Sequence, residues 1–558
     1  MKSFYKTIPF LLLIVSCSMY KSNVTNLQKQ DNKAWYKKDY IQDGIPGISL
    51  NKWELDNKGK KNNNNLIVAV IDTQLDTNHE DLQGQLWTNP KEIPNNNVDD
   101  DKNGYIDDIN GWNYLTTKSN NYTVWYNFES VRIIRKYRGK FEGKKIEEIN
   151  KEDHNNFKEY LRAVDRYEAD RNYHKNWLEV LNYSANLFPK VKDTLKYFFP
   201  KEDYTYQQLD SLYTKYKTND KTFRQRRLDN DKDLGALIDF MKLQIDYDQG
   251  SLEKIIENRE QVDSLYNKSY NINFDHRNFI GDDPNKLENN YGSNKLNLTI
   301  KGIRKYNTHN TEVSGIIAAN PDNSTGIRGF SKNIKIMPLV TSCSGDEEDK
   351  DIALAIRYAV DNGAKVINMS FYKEFSLHLD WVLEAIKYAE KNNVLVVGIA
   401  GNDSLDIDSN PKYPNDSDYQ NPREVSDNFI NVGSITNKVD STMVSSFSNY
   451  GKQNVDLFAP GSDVYTTIPD NRYQTDSGTS LAAPMVSGTA ALIWLYYPNL
   501  SVQEVKQIIL NSGSEYDIEV LVPNGDGKKV PFKELSKSGR VLNVYNAMKM
   551  AKEMNTKK

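Results

Sequence analysis

Three separated segments carry side chains that could act together in nucleophilic catalysis. Asp72 ends a run of apolar, β-branched residues, His309 begins a segment of small residues, and Ser480 lies at the start of another. A serine hydroxyl becomes a strong nucleophile when a base takes its proton, and a carboxylate can hold that base in the required tautomer. Taken singly, the aspartate could cap a turn and the histidine could be an ordinary surface residue. Together they predict an activated serine.

The elements that position these side chains follow from hydrophobic periodicity. Residues 66–71 are a continuous apolar run, which is typical of a strand buried on both faces, and similar runs recur at 366–369 and 394–398. Helical patterns precede the second and third runs. This alternation predicts an α/β fold with a parallel sheet that helices cover. Asp72 then lies at the carboxyl end of a strand, where open α/β sheets place their sites.

The motifs resemble those of one family. Their order is Asp, His, Ser, which is the order found in subtilisin, and residues 478–484 have the sequence Gly-Thr-Ser-Leu-Ala-Ala-Pro. On these residues the chain resembles the subtilisin family (subtilases) of serine endopeptidases. The resemblance implies a subtilisin-like parallel sheet covered by helices on both faces, and hydrolysis of peptide bonds through an acyl-enzyme.

The resemblance also implies a role for each catalytic residue. Ser480 would be the nucleophile, His309 the general base and then the acid, and Asp72 the carboxylate that orients it. Asn402 matches the family's oxyanion asparagine, so its amide and the backbone N–H of Ser480 would donate to the developing oxyanion.

Substrate binding in this family uses an extended peptide beside strand edges. The segments that match the family's substrate-binding residues are Ser370, Phe371, Tyr372, Ala400 and Gly401. Tyr372 stands where many relatives have glycine, so we expect a narrowed or covered pocket for the residue before the cut.

Three further departures from the family pattern lie near the catalytic residues. Asn310 and Glu312 replace the usual glycine and histidine after His309, and Gln74 replaces a common glycine after Asp72. Because all four chemical groups of the mechanism remain, these departures bear on specificity more than on catalysis.

The domain organisation follows from how much of the chain resembles the family. Residues 35–115 and 300–558 are predicted to form a discontinuous catalytic domain. The intervening residues 116–299 are charged, rich in tyrosine and helical in pattern, and they predict a helical insertion rather than a long loop. Since Asp72 and His309 must meet, the ends of this insertion must also meet, and we expect it to form a self-contained cap beside the cleft.

One cluster of acidic residues resembles a calcium-binding loop. Positions 1, 3, 5 and 9 of such a loop are occupied by Asp99, Asp101, Asn103 and Asp107. Position 12 is Asn110 rather than glutamate, so the bidentate ligand is missing and a solvated acidic turn is the alternative. The family resemblance implies a second structural calcium site, at Asp81 and Asn323.

The amino terminus predicts export. Two lysines precede the apolar run 8–15, which is too short to span a bilayer and is typical of a signal peptide. Residues 14–17, Ile-Val-Ser-Cys, resemble the bacterial lipobox, which implies a lipoprotein signal segment over 1–17, with Cys17 as the lipidated first residue of the mature protein, and a linker over 18–34. An ordinary secretory signal is the alternative. The short span between Cys17 and Asp72 also predicts maturation without a cleavable prodomain.

Composition excludes some partners. The chain has 72 basic and 76 acidic residues and a net charge of −4. This charge gives no overall electrostatic attraction to a phosphate backbone, so we expect no nucleic acid partner. The overall prediction is a monomeric, lipid-anchored serine endopeptidase of polypeptides, on the periplasmic or cell-surface face of a membrane. The alternatives are a maturation protease with one substrate and a catalytically silent binding lipoprotein.

Overall fold

The structure is a computed structural model that describes residues 33–58, 64–297, 309–417 and 423–557. Cys17, residues 1–17 and most of the linker predicted over 18–34 lie outside the described residues. The strands are β1 (Leu66–Asp72), β2 (Trp112–Asn113), β3 (Ile334–Val340), β4 (Val366–Met369), β5 (Leu395–Ile399), β6 (Phe429–Ile435), β7 (Leu457–Pro460), β8 (Val464–Ile468), β9 (Arg472–Asp476), β10 (Ser514–Glu515), β11 (Glu519–Leu521), β12 (Lys529–Pro531) and β13 (Arg540–Val541).

Nine of these strands form one sheet in the order β10-β13-β7-β6-β5-β4-β1-β3-β2. Its pairs are parallel except β10 with β13, while β8 pairs with β9 and β11 with β12 in two antiparallel ribbons. Strand β1 lies between β3 and β4, so that Val68 is opposite Ile336 on one side and Val366 on the other.

The helices lie on both faces of this sheet and in a separate helical segment. They are α1 (Tyr40–Asp43), α2 (Leu50–Asp56), α3 (Glu129–Phe141), α4 (His154–Leu195), α5 (Tyr206–Tyr216), α6 (Phe223–Leu228), α7 (Leu234–Asp246), α8 (Leu252–Ser264), α9 (His276–Ile280), α10 (His309–Ala318), α11 (Asp349–Asp361), α12 (Leu379–Lys391), α13 (Thr479–Tyr496), α14 (Val502–Ser512) and α15 (Val544–Thr556).

The alternation of side chains along β1 explains the two layers. Val68 and Val70 enter a core that also contains α10, α13, α14 and α15, whereas Ala69 and Ile71 enter a second core with α11 and α12. Successive side chains of a strand point to opposite faces, so an uninterrupted apolar run requires cover on both. The predicted α/β fold, with a parallel sheet between two helical layers, is confirmed.

Helix α13 lies at the centre of the first core. It is long and apolar enough to cross a membrane, yet 89% of it is buried inside the protein, as for a core helix. Its small residues allow close approach, and Gly488 packs against the ring of Phe330. This packing fixes the helix that carries Ser480.

The region between Asp72 and His309 contains a second compact unit, Lys140–Phe274. It contains helices α4 to α8, and its core includes Leu181, Phe188, Leu209 and Phe240. A cap beside the cleft, the role expected for the insertion, stays a prediction.

The compact unit is shorter than the predicted insertion over 116–299. Residues up to Gly139 and from Asp275 onward cluster with the sheet, because Tyr126, Ile280 and Tyr291 are buried in the same core as Ile71. Sequence periodicity could not assign these flanking segments, since their partners are distant in the chain.

Buried ion pairs also hold these flanking segments to the sheet. Lys373 Nζ lies 2.7 Å from Asp349 Oδ1 and 3.4 Å from Glu129 Oε2, and all three side chains are almost fully buried. Arg277 Nη2 pairs with Asp351 Oδ2 at 2.5 Å. A buried charge is costly unless it is paired, so these contacts fix the segments at both ends of the insertion.

Candidate active site

Asp72, at the carboxyl end of β1, is buried and forms a hydrogen-bonded pair with His309, whose side chain is 32% exposed. His309 Nδ1 lies 2.9 Å from each carboxylate oxygen of Asp72. The backbone N–H of Thr73 donates to Asp72 Oδ1 at 2.6 Å, and Asp72 is 1% exposed. The carboxylate is therefore fixed, and the hydrogen bond holds the proton on Nδ1 and leaves Nε2 of a neutral His309 free to accept one.

The proton affinity of His309 reflects two opposing effects. Burial by itself would lower the pKa of His309, but the negative charge and hydrogen bond of Asp72 outweigh it, with further contributions from Glu312 and Asp476, and the pKa rises to about 9. The charged form of the imidazole is therefore favoured in the substrate-free protein.

Asn310 connects the helix of the base to the turn of the carboxylate. Its backbone N–H donates to Thr73 Oγ1 at 3.0 Å, and its Nδ2 donates to the Thr73 carbonyl at 2.8 Å. Ser314 Oγ donates to Asn310 Oδ1 at 2.7 Å. The departure at Asn310 thus has a positional role beside the Asp72–His309 pair.

Ser480 occupies the first turn of α13, next to Asn402. Asn402 Oδ1 accepts hydrogen bonds from the backbone N–H of Thr479 at 2.9 Å and from its hydroxyl at 2.8 Å. A Cβ placed on Gly478 would lie 3.4 Å from Ser480 Oγ and 3.6 Å from Asn402 Nδ2, so both atoms border the same space. An amide donor and a helix N-terminus face the position where an oxyanion would form.

Helices α10 and α13 pack against each other, and they carry His309 and Ser480 respectively. Among the described side chains, a hydrogen bond joins His309 to Asp72 and none joins it to Ser480. A nucleophile and its base commonly reach hydrogen-bond distance only with substrate bound.

The two predicted substrate-binding segments follow neighbouring strands. Ser370 comes after β4, and its hydroxyl donates to the Ser480 carbonyl at 2.9 Å; Phe371 is half-buried against the second core. Ala400 and Gly401 come after β5, and the Ala400 carbonyl accepts from Asn449 Nδ2 at 2.8 Å. Both segments therefore lie at the carboxyl ends of neighbouring central strands, and the first contacts Ser480 at the start of α13.

Sequence reasoning missed Asn449 as a residue that holds this site. Its Oδ1 accepts from the backbone N–H groups of Asp403 and Leu405, at 3.0 and 2.8 Å. Gly401 has φ +102, and a Cβ there would lie 2.5 Å from Asn449 Nδ2, so glycine is required. The sequence signal that could have pointed to Asn449 is an asparagine within the serine-rich segment 445–450.

The acidic loop brings together a set of carboxylates that differs from the predicted one. Oxygens of Asp99, Asp101 and Glu92 lie within 4.8 Å of one another. Asn103 Oδ1 accepts from the backbone N–H of Tyr105, and both oxygens of Asp107 accept from backbone N–H groups. Glu92, which sequence spacing did not indicate, therefore joins two of the four predicted residues.

Glu92 has a buried carboxylate oxygen that no described residue satisfies. It is 7% exposed, and Oε2 has no hydrogen-bond partner in the part of the chain that the structure describes. An unpaired buried carboxylate oxygen is costly, and carboxylate oxygens are the ligands that calcium prefers. The residues present fit a divalent cation.

The second predicted calcium pair is also brought together, but by a direct hydrogen bond. Asn323 Nδ2 donates to Asp81 Oδ1 at 2.7 Å, and the backbone N–H of Ile327 donates to Asp81 Oδ2 at 2.9 Å. Both carboxylate oxygens are thus already satisfied by the protein.

Comparison with known proteins identifies the family of this chain. The family model described as the subtilase family matches residues 63–534, so the chain belongs to the subtilase family. The chain is 37% identical over 212 residues to the cell wall-associated protease of Bacillus subtilis (strain 168), which covers 38% of this chain and 22% of that protein. It is 39% identical over 188 residues to the thermophilic serine proteinase of Bacillus sp. (strain AK1), covering 34% and 42%.

The aligned segment therefore spans less than half the length of either relative. Among solved structures, fervidolysin from Fervidobacterium pennivorans, a keratinolytic enzyme related to subtilisin, matches with 25% identity and a TM-score of 0.35 over 43% of this chain and 36% of that one.

Proposed function

We propose that this protein is an exported serine endopeptidase that hydrolyses polypeptides through an acyl-enzyme. The observation that carries the proposal is the Asp72–His309 pair, joined at 2.9 Å, on a helix that packs against the helix carrying Ser480. Membership of the subtilase family supports it.

In the first half of the reaction, Ser480 Oγ attacks the carbonyl carbon of the scissile bond and its proton passes to His309 Nε2. Asp72 stabilises the imidazolium that forms. The carbonyl oxygen becomes an oxyanion, to which Asn402 Nδ2 and the Ser480 backbone N–H donate. The C–N bond then breaks, and His309 gives the proton to the leaving amine.

In the second half, water attacks the ester carbon of the acyl-enzyme while His309 Nε2 takes a proton from that water. The ester C–O bond breaks, the proton returns to Ser480 Oγ, and the carboxylic acid product leaves. His309 and Ser480 are then restored to their starting states.

The proposal is tested by labelling the purified protein, without residues 1–17, with a fluorophosphonate that reacts with activated serines. We expect labelling of the unchanged chain and none of Ser480→Ala. As a matched control, Ser487→Ala removes a hydroxyl from the same helix, one that donates to Asn368 Oδ1, and it should retain labelling. A folded, unlabelled protein would contradict the proposal.

We also propose that Cys17 is lipidated and anchors a monomeric protein to a membrane. The support is the lipobox-like sequence at residues 14–17, and two acyl chains give stable anchoring. Metabolic labelling with a tagged fatty acid should mark the chain and be lost in Cys17→Ser, but not in Cys343→Ser. Light scattering of the protein without residues 1–17 should give the mass of one chain.

Finally, we propose that the acidic loop holds a structural calcium ion. Glu92, Asp99 and Asp101 would be its carboxylate ligands, and the orphaned Glu92 Oε2 supports this assignment. The ion would neutralise carboxylates that otherwise repel one another, and so stabilise the loop.

A further inference from the structure

The residue before the scissile bond has its carbonyl carbon at Ser480 Oγ and its carbonyl oxygen toward Asn402 Nδ2. Its Cα is about 1.5 Å from that carbon, so its side chain must begin within a few ångströms of both catalytic groups. Two segments flank this position. Ser370–Tyr372 is tied to Ser480 by the Ser370 hydroxyl, and Ala400–Asp403 is tied to the neighbouring Thr479 by Asn402. The side chain must therefore enter the recess between these two segments.

In this protein Tyr372 crosses that recess. Its hydroxyl donates to Asp403 Oδ1 at 2.8 Å, which joins one segment to the other. A Cβ placed on Gly401 would lie 3.2 Å from Tyr372 Cε2 and Cζ, so the ring lies directly against the Gly401 backbone. The tyrosine thus occupies volume that a substrate side chain would otherwise take.

Lys412 fills the same recess from a third segment. Its Nζ lies 2.7 Å from Asp403 Oδ2, 3.4 Å from Glu374 Oε1 and 5.2 Å from the centroid of the Tyr372 ring. Lys412 is 4% exposed, and the Asp403 side chain is 6% exposed. The ammonium is therefore buried and held by a carboxylate and an aromatic face.

The backbone fixes this arrangement. The Lys373 N–H donates to the Tyr413 carbonyl at 2.8 Å, and the Tyr413 N–H donates to the Lys373 carbonyl at 2.9 Å. This antiparallel bridge joins the neighbour of Tyr372 to the neighbour of Lys412. Neither side chain can withdraw from the recess without breaking buried polar contacts, each of which is costly to leave unmade.

From these contacts we propose that Tyr372, Asp403 and Lys412 restrict the peptidase to substrates with a small residue, glycine, alanine or serine, before the scissile bond. A larger side chain would clash with a packed recess, as in specificity by exclusion. An acidic side chain gains little from Lys412, because two carboxylates already face that ammonium. The inference rests on the proposed peptidase function.

The test uses fluorogenic peptides of one sequence that differ only in the residue before the cut: Gly, Ala, Ser, Leu, Phe, Glu or Lys. For the unchanged protein we expect kcat/KM for the alanine peptide to exceed that for the phenylalanine peptide by on the order of 100-fold. Tyr372→Gly should raise kcat/KM for the phenylalanine peptide by about tenfold or more. Tyr372→Phe, which keeps the ring and loses the hydroxyl, should keep the preference for small residues.

Two controls separate the possible failures. Fluorophosphonate labelling of Ser480 reports an assembled site independently of specificity, so an unlabelled, inactive protein would refute the peptidase function itself. A labelled protein that prefers Leu, Phe, Glu or Lys would overturn the inference alone. If Tyr372→Gly does not fold, Lys412→Gly opens the recess from the opposite segment, and the profile of the unchanged protein still decides.

Discussion

Two opposing effects set the pKa of His309: burial of the imidazole and the charge of the Asp72 carboxylate. Burial disfavours the imidazolium, whereas Asp72 at 2.9 Å and the nearby Glu312 and Asp476 favour it, and the pKa of His309 settles at about 9. Only neutral His309 can accept the proton of Ser480. The same carboxylates that position or surround the base therefore also set the pH at which it acts.

We therefore expect kcat/KM to rise with pH and to level off above about 9. kcat/KM reports ionisations of the free enzyme, and the neutral fraction of His309 grows as pH rises through its pKa. Glu312→Gln removes one of the charges that raise the pKa of His309, so the rising limb should move to lower pH. The measurement is a profile of kcat/KM between pH 5 and 10.

Glu312 is buried, and Gln474 Nε2 donates to its Oε1 at 3.0 Å, a contact that glutamine can keep. Glu534→Gln, on the surface, provides the control and should leave the limb in place. If Glu312→Gln folds normally and the rise of kcat/KM stays at the same pH, the Glu312 charge does not affect the pKa of His309.

In the proposed mechanism, Asn402 is the side chain that stabilises the oxyanion. In Asn402→Ala the amide donor is lost, and removal of one such donor lowers kcat by about 10²–10³-fold. KM for a small peptide should change much less, because the contact forms mainly in the transition state. Steady-state kinetics with the alanine peptide would measure both; a comparable loss in KM would instead indicate a role in ground-state binding.

At the scale of elements, the acidic loop shows why residue spacing in the sequence did not predict the full carboxylate cluster. Asp99 and Asp101 were predicted as ligands, but the third carboxylate is Glu92, from the preceding turn. The spacing of a calcium-loop motif predicts ligands only within that motif, and Glu92 lies before it. The buried, unpaired Oε2 of Glu92 becomes evident only when the chain is folded.

We expect a chelator to lower the melting temperature by several degrees in the unchanged protein. A ligand at 100 times its Kd stabilises a protein by about 2.7 kcal/mol. Glu92→Gln should reduce this response, while Asp526→Asn on an exposed turn should not. Calorimetry with and without calcium tests it, and a full response in Glu92→Gln would show that Glu92 does not hold the ion.

Helix α13 is the element whose packing is most easily disturbed. A Cβ on Gly488 would lie 2.3 Å from Phe330 Cδ2, and overpacking a core typically costs about 1–3 kcal/mol. Gly488→Ala should therefore lower the free energy of unfolding. Gly139→Ala, in helix α3 with no neighbouring atom within 4 Å, should raise it by about 0.5–1 kcal/mol.

Chemical denaturation compares the two variants, and equal stabilities would contradict the packing argument.

The fold also shows what hydrophobic periodicity can and cannot predict. The run 66–71 predicted β1, and the three motifs predicted Asp72, His309 and Ser480, since these signals are local. Contacts such as Asn449 with Ala400, or Tyr372 with Asp403, depend on residues distant in sequence, and only the fold brings them together.

At the scale of the whole molecule, two compact units have separate cores. The unit Lys140–Phe274 buries Leu181, Phe188 and Phe240 among its own helices. Expressed alone, it should be helical and unfold cooperatively on heating, as followed by circular dichroism. Phe240→Ala should lower its stability by about 3–5 kcal/mol, and a gradual, non-cooperative melt would show that the core cannot sustain a fold by itself.

The placement of Ser480 on α13 has a consequence for how the protein loses activity. The helix is almost entirely buried and contacts β1, β4, β5, β6 and β7, so the amide hydrogens beyond its first turn should exchange with solvent only when the whole sheet opens. The helix that carries the proposed nucleophile then stays attached to the sheet until the fold as a whole opens. On heating, the fraction of protein whose Ser480 can be labelled should therefore fall as the whole protein unfolds. That fraction would measure how much of the protein is still folded.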